Sequence, residues 1–361
     1  MRSFLDGVIE RQRLSQGLLQ TIRQLGEYKG RQQLYTEQSP QVLKALQHAA
    51  QIESTESSNR IEGVTAPHER IAEIVARRTK PRNRPEQEIA GYRDVLQNIH
   101  VKAARLPFTT AFVLQVHEDL YRFSTGKGGE WKDVDNEITE AQPDGTRRVR
   151  FKPVAALETP EAMEELHARY LAARKAGAIE PLLLIPAYVL DFLCIHPFLD
   201  GNGRTARLLT LLLLYQAGYE VGRFISLEQM VERTKRSYYD TLLASSQGWH
   251  QGRHSLVPWW EYFLGVMMLG CYREFEKRVG AITVRHGAKR EMIVDTVRRL
   301  GEEFRVGEVK RACPGISQAT INRTLAQMRR EGAIRCLQNG RDAVWAKAEG
   351  RMRDKATAHL C

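Results

Sequence analysis

The 361-residue sequence predicts a mostly α-helical protein, broken by one β-hairpin near its middle and closed by a smaller, basic helix-and-hairpin module. Three observations carry that expectation. Apolar residues recur at helical spacing through most of the first 280 residues. The pattern breaks at 124–153, where Gly126, Gly128, Gly129, Pro143, Gly145 and Pro153 gather. The formal net charge of +11 is concentrated at one end: residues 285–361 carry 17 Lys+Arg against 9 Asp+Glu, a net +8.

Composition narrows the class. Hydrophobic content of 42% and charged content of 27% are ordinary for a soluble globular protein with room for two or three domains. No charged start followed by an apolar run suggests a signal peptide. The longest apolar stretches are interrupted by Pro186, Asp191 and Arg207, so no membrane partner is expected. Five scattered cysteines, an odd number, argue for a reducing cytoplasm over a disulfide framework or zinc site. The basic end suggests an appended module that meets something anionic.

The elements follow in order. Residues 1–105 read as helical, with Val42, Leu46 and Ala49 in one helix and Ala90, Val95 and Ile99 in another. A proline-bounded basic loop at 81–85 lies between two helices. Residues 106–123 form a further helix. Within 124–153, ITEAQPDGTRRVRFKP reads as two short strands about Pro143-Asp144-Gly145. STGKGG (124–129) superficially resembles a phosphate-binding loop but lacks the first glycine and the Ser/Thr after the lysine. Helices resume at 159–176, 181–195, 204–217, 226–247 and 255–279. From Lys289 come two helices, then a third capped by Ser317 with Ile321, Leu325 and Met328 on its inner stripe and Gly332 as its stop. Two strands about Asn339-Gly340 end the module. Three helices and a hairpin resemble a winged helix-turn-helix, with 317–331 as the recognition helix. Its Gln318, Asn322 and Arg323 lie off the inner stripe and are candidate base readers.

The richest chemistry is HPFLDGNGRTAR, His196 to Arg207, set between two apolar helices. Pro197 disfavours helix for the residue before it. Asp-Gly-Asn-Gly then forms a tight loop feeding a helix N-terminus, whose free N–H groups make an anion site suited to phosphate. Arg204 and Arg207, one turn apart, lie on the same side of that helix and can pair with neighbouring phosphates. Asp200 can hold Mg²⁺, which takes one or two protein carboxylates beside phosphate oxygens. His196 can accept a proton from a hydroxyl near neutral pH. Together these residues point to nucleotide phosphate transfer.

The stretch resembles the Fic family signature, His-x-Phe-x-(Asp/Glu)-Gly-Asn-Gly-Arg-x-x-Arg, at all eight fixed positions: His196, Phe198, Asp200, Gly201, Asn202, Gly203, Arg204 and Arg207. The resemblance implies a protein adenylyltransferase that moves AMP from ATP to a Tyr, Thr or Ser hydroxyl and releases pyrophosphate. His196 would be the catalytic base and Asp200 the Mg²⁺ ligand. The amides of Gly201, Asn202, Gly203 and Arg204 would take the phosphates, and Thr205, Ala206 and Arg207 complete the nucleotide-binding stretch. Phe198 would pack into the core and fix the loop.

Three further stretches fit the family. Its target-docking flap corresponds to TRRVRFKP, with Arg148, Val149, Arg150 and Phe151. Tyr238 and Tyr239 match a tyrosine pair near the adenine; read alone, they pack a core at a helix start. Ser246 stands where relatives often have an asparagine that reaches the nucleotide. ESSNRIEG (56–63) matches the self-inhibition motif (Ser/Thr)-x-x-x-Glu-(Gly/Asn) at Ser58, Glu62 and Gly63.

The expected architecture is thus an all-helical Fic core at 106–280 with a β-hairpin flap. A helical region at 1–105 precedes it and includes an inhibitory helix at about 50–63. A winged helix at 289–348 and a tail at 349–361 follow. Expected partners are a protein hydroxyl, the chain itself as a target of auto-modification, duplex DNA at the winged helix, and a second copy in a homodimer. The alternative is a DNA-binding regulator that uses the core as a nucleotide sensor. An intact inhibitory glutamate is also compatible with removal of AMP from a modified target.

Overall fold

The computed structural model describes residues 1–348 except 6, 39, 142–145, 285–287, 314–315, 339 and 341–342. Pro143-Asp144-Gly145, Asn339 and the tail at 349–361 therefore lie outside the described residues. The chain divides into two compact units, one of residues 1–32 and 45–275, the other of 33–44 and 276–361.

The first unit is a helical assembly built around one buried helix. Its elements are α1 (Gln16–Gln38) and α2 (Pro40–Ile61), each with residues in both units, then α3 (His68–Val75), α4 (Arg84–Lys102) and α5 (Thr110–Tyr121). A hairpin follows, β1 (Ile138–Ala141) with β2 (Arg147–Phe151). Then come α6 (Thr159–Ala176), α7 (Pro181–Ile195), α8 (Asn202–Gln216), α9 (Leu227–Arg233), α10 (Lys235–Ser246) and α11 (Val257–Trp260). A π-helical stretch, Glu261–Met268, leads into α12 (Leu269–Val284).

Capping explains several starts. Asn83 accepts from the Glu86 N–H at α4 and Thr109 from Phe112 at α5. The run expected as one helix over 226–247 is two. Ser226 caps α9, and the chain leaves helical geometry at Thr234 (φ −115°, ψ 28°) before α10 begins.

α7 is apolar on nearly every face and almost wholly buried, so it is the axis of the core. Pro186 lies inside it and costs one backbone hydrogen bond. Two indoles bond the carbonyls of this turn: Trp259 donates to Pro186 O (2.8 Å) and Trp260 to Leu183 O (3.0 Å). Asp191, on the same helix, is fully buried and accepts from Ser3 and from the Trp249 indole. Burial pushes its pKa up to about 6, against those donors.

The hairpin pairs Val149 with Thr139 and Phe151 with Ile138, with a register shift between Ile138 and Thr139. Phe151 stacks on His250 at 5.3 Å, which anchors β2 against the loop after α10.

The second unit holds α13 (Ala288–Arg299), β3 (Glu303–Arg305), α14 (Val306–Ala312), α15 (Gln318–Arg330), β4 (Ile334–Gln338) and β5 (Val344–Lys347). The antiparallel strand order is β3-β5-β4. Ser317 caps α15 by accepting from the Thr320 N–H. Ile321, Leu325 and Met328 meet Ile293, Val297 and Phe304 in a core of their own. Three helices with a three-stranded sheet are a winged-helix arrangement. The strand β3 was not anticipated from the sequence; only Phe304 among its three residues is buried, too short a signal to read as alternation.

Trp260→Ala should lower the unfolding free energy by about 3–5 kcal/mol, because it empties a fully buried site. Leu157→Ala, at a residue 93% exposed, should change it by less than about 0.5 kcal/mol. Urea titration of the two variants checks both.

Candidate active site

The site grows from the end of α7. His196 caps that helix in a left-handed conformation (φ 51°, ψ 62°) while its N–H still donates to Phe192 O at 2.9 Å. Its Nδ1 lies 3.3 Å from Leu193 O, so the proton of the neutral ring sits on Nδ1 and Nε2 keeps its lone pair. Burial pulls the His196 pKa down to about 4 and the Lys132 charge pulls the same way; the Leu193 carbonyl, Glu62 and Asp200 oppose.

The loop after His196 is closed by its own side chains. Phe198 is fully buried, stacked on His117 at 3.6 Å and on Trp131 at 5.3 Å. Asn202 accepts from the Phe198 N–H (2.9 Å) and donates to Phe198 O (2.7 Å). Its amide group is thereby committed to the loop, leaving its backbone N–H as the group that faces the helix start. Gly201 has φ +77°, and a Cβ there would press on Tyr121 Oη at 3.0 Å. The Asp200 carbonyl accepts from His117 Nε2 at 3.0 Å. The Asp200 carboxylate is 67% exposed and accepts from the Gly201 N–H at 2.6 Å.

α8 begins at Asn202 with no side-chain cap, so its first N–H groups are open. A Cβ built on Gly203 would overlap Glu62 Oε1, which puts the Glu62 carboxylate directly over that helix start. Glu62 accepts from Arg207 Nη2 at 2.8 Å. Arg207 also donates to Ser58 Oγ and Ser58 O, each at 2.9 Å. Burial works against its charge, but Glu62, Tyr238 and Tyr92 hold its pKa above the ordinary value. Gly63 follows at φ +81° and stops α2.

The two arginines do not act as a pair. Arg204 turns inward and is 1% exposed, donating to Glu88 (2.7 Å), Asn59 (3.3 Å) and Tyr121 Oη (2.9 Å). Three residues along a helix rotate the chain by about 300°, roughly 60° short of a full turn, and that offset is enough to send one guanidinium into the core and leave the other on the cavity. Thr205 and Ala206 are likewise buried on the core side.

The cavity is about 690 Å³, a size that suits a nucleotide. Its lining is polar at Glu62, His196, Asp200, Gly203 and Arg207 and apolar at Leu190, Leu193, Leu242 and Leu243. Tyr238, Tyr239 and Ser246 also line it. Tyr238 does so while packed on Trp259 and Tyr262, and Ser246 Oγ is held by Leu243 O at 2.9 Å. From the hairpin, Arg150 and Phe151 face the cavity, whereas Arg148 and Val149 are exposed. Arg150 reaches Glu140 (3.6 Å) and Asp240 (3.5 Å).

Among the described residues no three His, Cys, Asp or Glu side chains cluster as a metal site. A lone exposed carboxylate beside an anion site fits Mg²⁺, which keeps waters and takes phosphate oxygens. His117, Tyr121, Glu88, Lys132 and Asn136 support the loop and carry no motif of their own; only their contacts reveal them.

Residues 107–214 match the family model described as the Fic/DOC family. That stretch is a Fic/DOC-family domain. Such a domain agrees with nucleotide transfer and with action on protein substrates as general properties of proteins that carry it. Solved structures share the fold. One is a Fic family protein from Desulfovibrio desulfuricans G20, at 19% identity over 94% of this chain and 98% of that one (TM-score 0.60). Another is a Fic domain containing signaling protein from Bacteroides thetaiotaomicron VPI-5482, at 22% identity over 72% of this chain and 98% of that one (TM-score 0.58). Fic-1 from C. elegans (aa134–508) aligns at 17% identity over 74% and 73% of the two chains (TM-score 0.56). No helix among the described residues is long and apolar enough to cross a membrane.

Burial depresses five histidines of this unit, His100 to about 3 and His117, His167, His196 and His254 to about 4. Between those values and the unfolded value of about 6.5 the unfolded chain binds more protons, so stability falls as pH drops through that window. Asp191, raised to about 6, pulls the other way but is one group against five. Urea midpoints should therefore be lower at pH 5 than at pH 7, and an NMR titration should find the His196 ring neutral down to about pH 4.

Proposed function

We propose that the protein transfers AMP from ATP to a Ser, Thr or Tyr hydroxyl of a protein target, itself included, and that Glu62 restrains the reaction. The observation that carries this reading is the Glu62–Arg207 pair over the uncapped start of α8, on the cavity that also holds His196. Free N–H groups and an arginine form a phosphate site. A carboxylate held there competes with phosphate for the same donors.

In this reading His196 Nε2 accepts the proton of the acceptor hydroxyl as its oxygen bonds to the α-phosphorus. The bond from that phosphorus to pyrophosphate breaks. The low affinity of the ring for protons keeps it available as an acceptor at neutral pH, and bound phosphate charge raises that affinity where it is needed. The N–H groups of Asn202, Gly203 and Arg204 and the Arg207 guanidinium orient and neutralise phosphate oxygens. Asp200 would hold Mg²⁺, which screens phosphate charge. The apolar lining of the cavity, Leu190, Leu242 and Leu243 with the two tyrosines, suits the base. The hairpin, anchored through Phe151, offers Arg148 and Val149 to the target chain.

Arg207 cannot serve Glu62 and a terminal phosphate equally, so Glu62 misplaces the substrate, and reaction needs near-attack geometry. Glu62→Gly should raise AMP incorporation from labelled ATP by about tenfold or more, the factor that ~1.4 kcal/mol of relieved competition gives. Adding His196→Ala should cost about 10²–10⁴-fold and return the double variant to silence. A Glu62→Gly rate at or below wild type would sink the inhibitory role. Asp200→Asn should reduce Mg²⁺-dependent transfer without lowering the melting temperature.

The exposed face of α15 favours a second role for the smaller unit, binding duplex DNA. Asn322 and Arg323 are exposed, and Gln318 donates to Asn322 Oδ1. Binding should weaken steeply with salt, and Arg323→Ala should flatten the salt slope by about one if it meets phosphate. Titration of labelled duplex at several salt concentrations measures both.

A further inference from the structure

We propose that Lys132 and Asn136 are positioning residues that clamp the His196 turn and thereby set where its Nε2 stands. The proposal rests on reading His196 as the proton acceptor.

Where α7 ends, the chain turns through four successive carbonyls, from Ile195 to Phe198, that lie outside the backbone ladder of either helix; of these, only Phe198 O is also reached by Asn202 of α8. Two residues of the preceding loop take all four. Lys132 Nζ donates to Ile195 O (3.0 Å), and the Lys132 N–H donates to Pro197 O (2.8 Å). Asn136 Nδ2 donates to His196 O (3.3 Å) and Phe198 O (3.0 Å). Lys132 Nζ also donates to Asn136 Oδ1 (2.9 Å), which fixes the amide with its NH₂ toward the turn.

The clamp is anchored by a buried lysine, with Asn136 half-buried beside it. Lys132 is 3% exposed, an unusual place for an ammonium, and its hydrogen bonds go to two neutral oxygens and no carboxylate. Burial lowers its pKa to about 8, so it remains charged at neutral pH. Trp131 stacks on Phe198, which keys the same loop to the far side of the turn. Neither Lys132 nor Asn136 lines the cavity, so neither touches substrate.

A left-handed non-glycine residue persists only where its surroundings over-determine it. Here the surroundings are this clamp. The orientation of the imidazole depends on it twice, through the backbone and through the Leu193 carbonyl that the Nδ1 proton meets. Lys132 also places a positive charge facing His196, opposite in effect to Glu62 and Asp200.

Two substitutions test the clamp. Asn136→Asp keeps the size and the Lys132 contact but turns the donor into an oxygen that repels both carbonyls. Lys132→Met keeps the length and loses charge and donors. In a Glu62→Gly background, each should lower kcat for AMP transfer by about tenfold or more while KM for ATP stays within about twofold, because the phosphate cradle is separate. In the nucleotide-free, otherwise wild-type protein, NMR titration should show the His196 pKa rising from about 4 toward its ordinary value in Lys132→Met. Unchanged kcat in both folded variants, or a rise in KM alone, overturns the proposal. If Lys132→Met melts below the assay temperature, Asn136→Asp decides. If the Glu62→Gly parent shows no transfer, the functional reading fails, and the His196 titration alone judges the clamp: an unmoved pKa overturns it.

Discussion

The buried guanidinium of Arg204 ties four helices to one point. It takes Glu88 of α4, Asn59 of α2 and the Tyr121 hydroxyl of α5, and it stands on α8 itself. A charge at 1% exposure is tolerated only when paired and hydrogen-bonded, and removing one partner of such a pair is typically costly by about 3–5 kcal/mol. The geometry of the anion site follows from it. α8 is held so that its open start faces the cavity, and the Asn59 contact fixes the last turn of α2, which carries Ser58 and leads into Glu62. The residue that looks in the sequence like a second phosphate clamp is a brace in the core, and Arg207 alone of the two guanidiniums reaches the cavity.

That exchange of roles marks how far the sequence could be read. Helices α5 to α8, the hairpin and the three-helix module were legible because apolar spacing, Pro/Gly punctuation and caps act locally. His196, Asp200, Glu62 and Arg207 were singled out by two short motifs whose residue order is itself the pattern, and the fold brings all four to one cavity. What could not be read was the direction of side chains whose partners are distant. Nothing near Arg204 announces Glu88, 116 residues away. The π-helical stretch at Glu261–Met268 and the break at Thr234 were equally hidden, since neither is marked by a proline or a side-chain cap.

Electrostatics was the least readable layer. An imidazole next to a proline in a polar loop suggests an ordinary pKa. Burial, with the charge of Lys132 pulling the same way, lowers its pKa to about 4, so the ring is a weaker base and neutral at neutral pH. Conversely, Asn202, a plausible ligand for phosphate by its amide, spends both ends of that amide on Phe198. The loop is therefore rigid before any substrate arrives, and the groups left facing the cavity are backbone N–H donors whose positions no rotamer can alter.

The left-handed backbone at position 196 also acts as a filter on what the site can become. Few side chains accept that conformation; apart from glycine, asparagine, aspartate and histidine are those enriched there. Glycine brings no proton acceptor. Asparagine has no useful basicity, and aspartate would add a third carboxylate to the two, Glu62 and Asp200, that already line the cavity. Histidine alone is uncharged at neutral pH and basic enough to take a proton. The fold thus narrows the alphabet at this position almost to one letter before chemistry imposes any demand, and a drifting sequence that keeps the turn has more ways to lose the reaction than to change it.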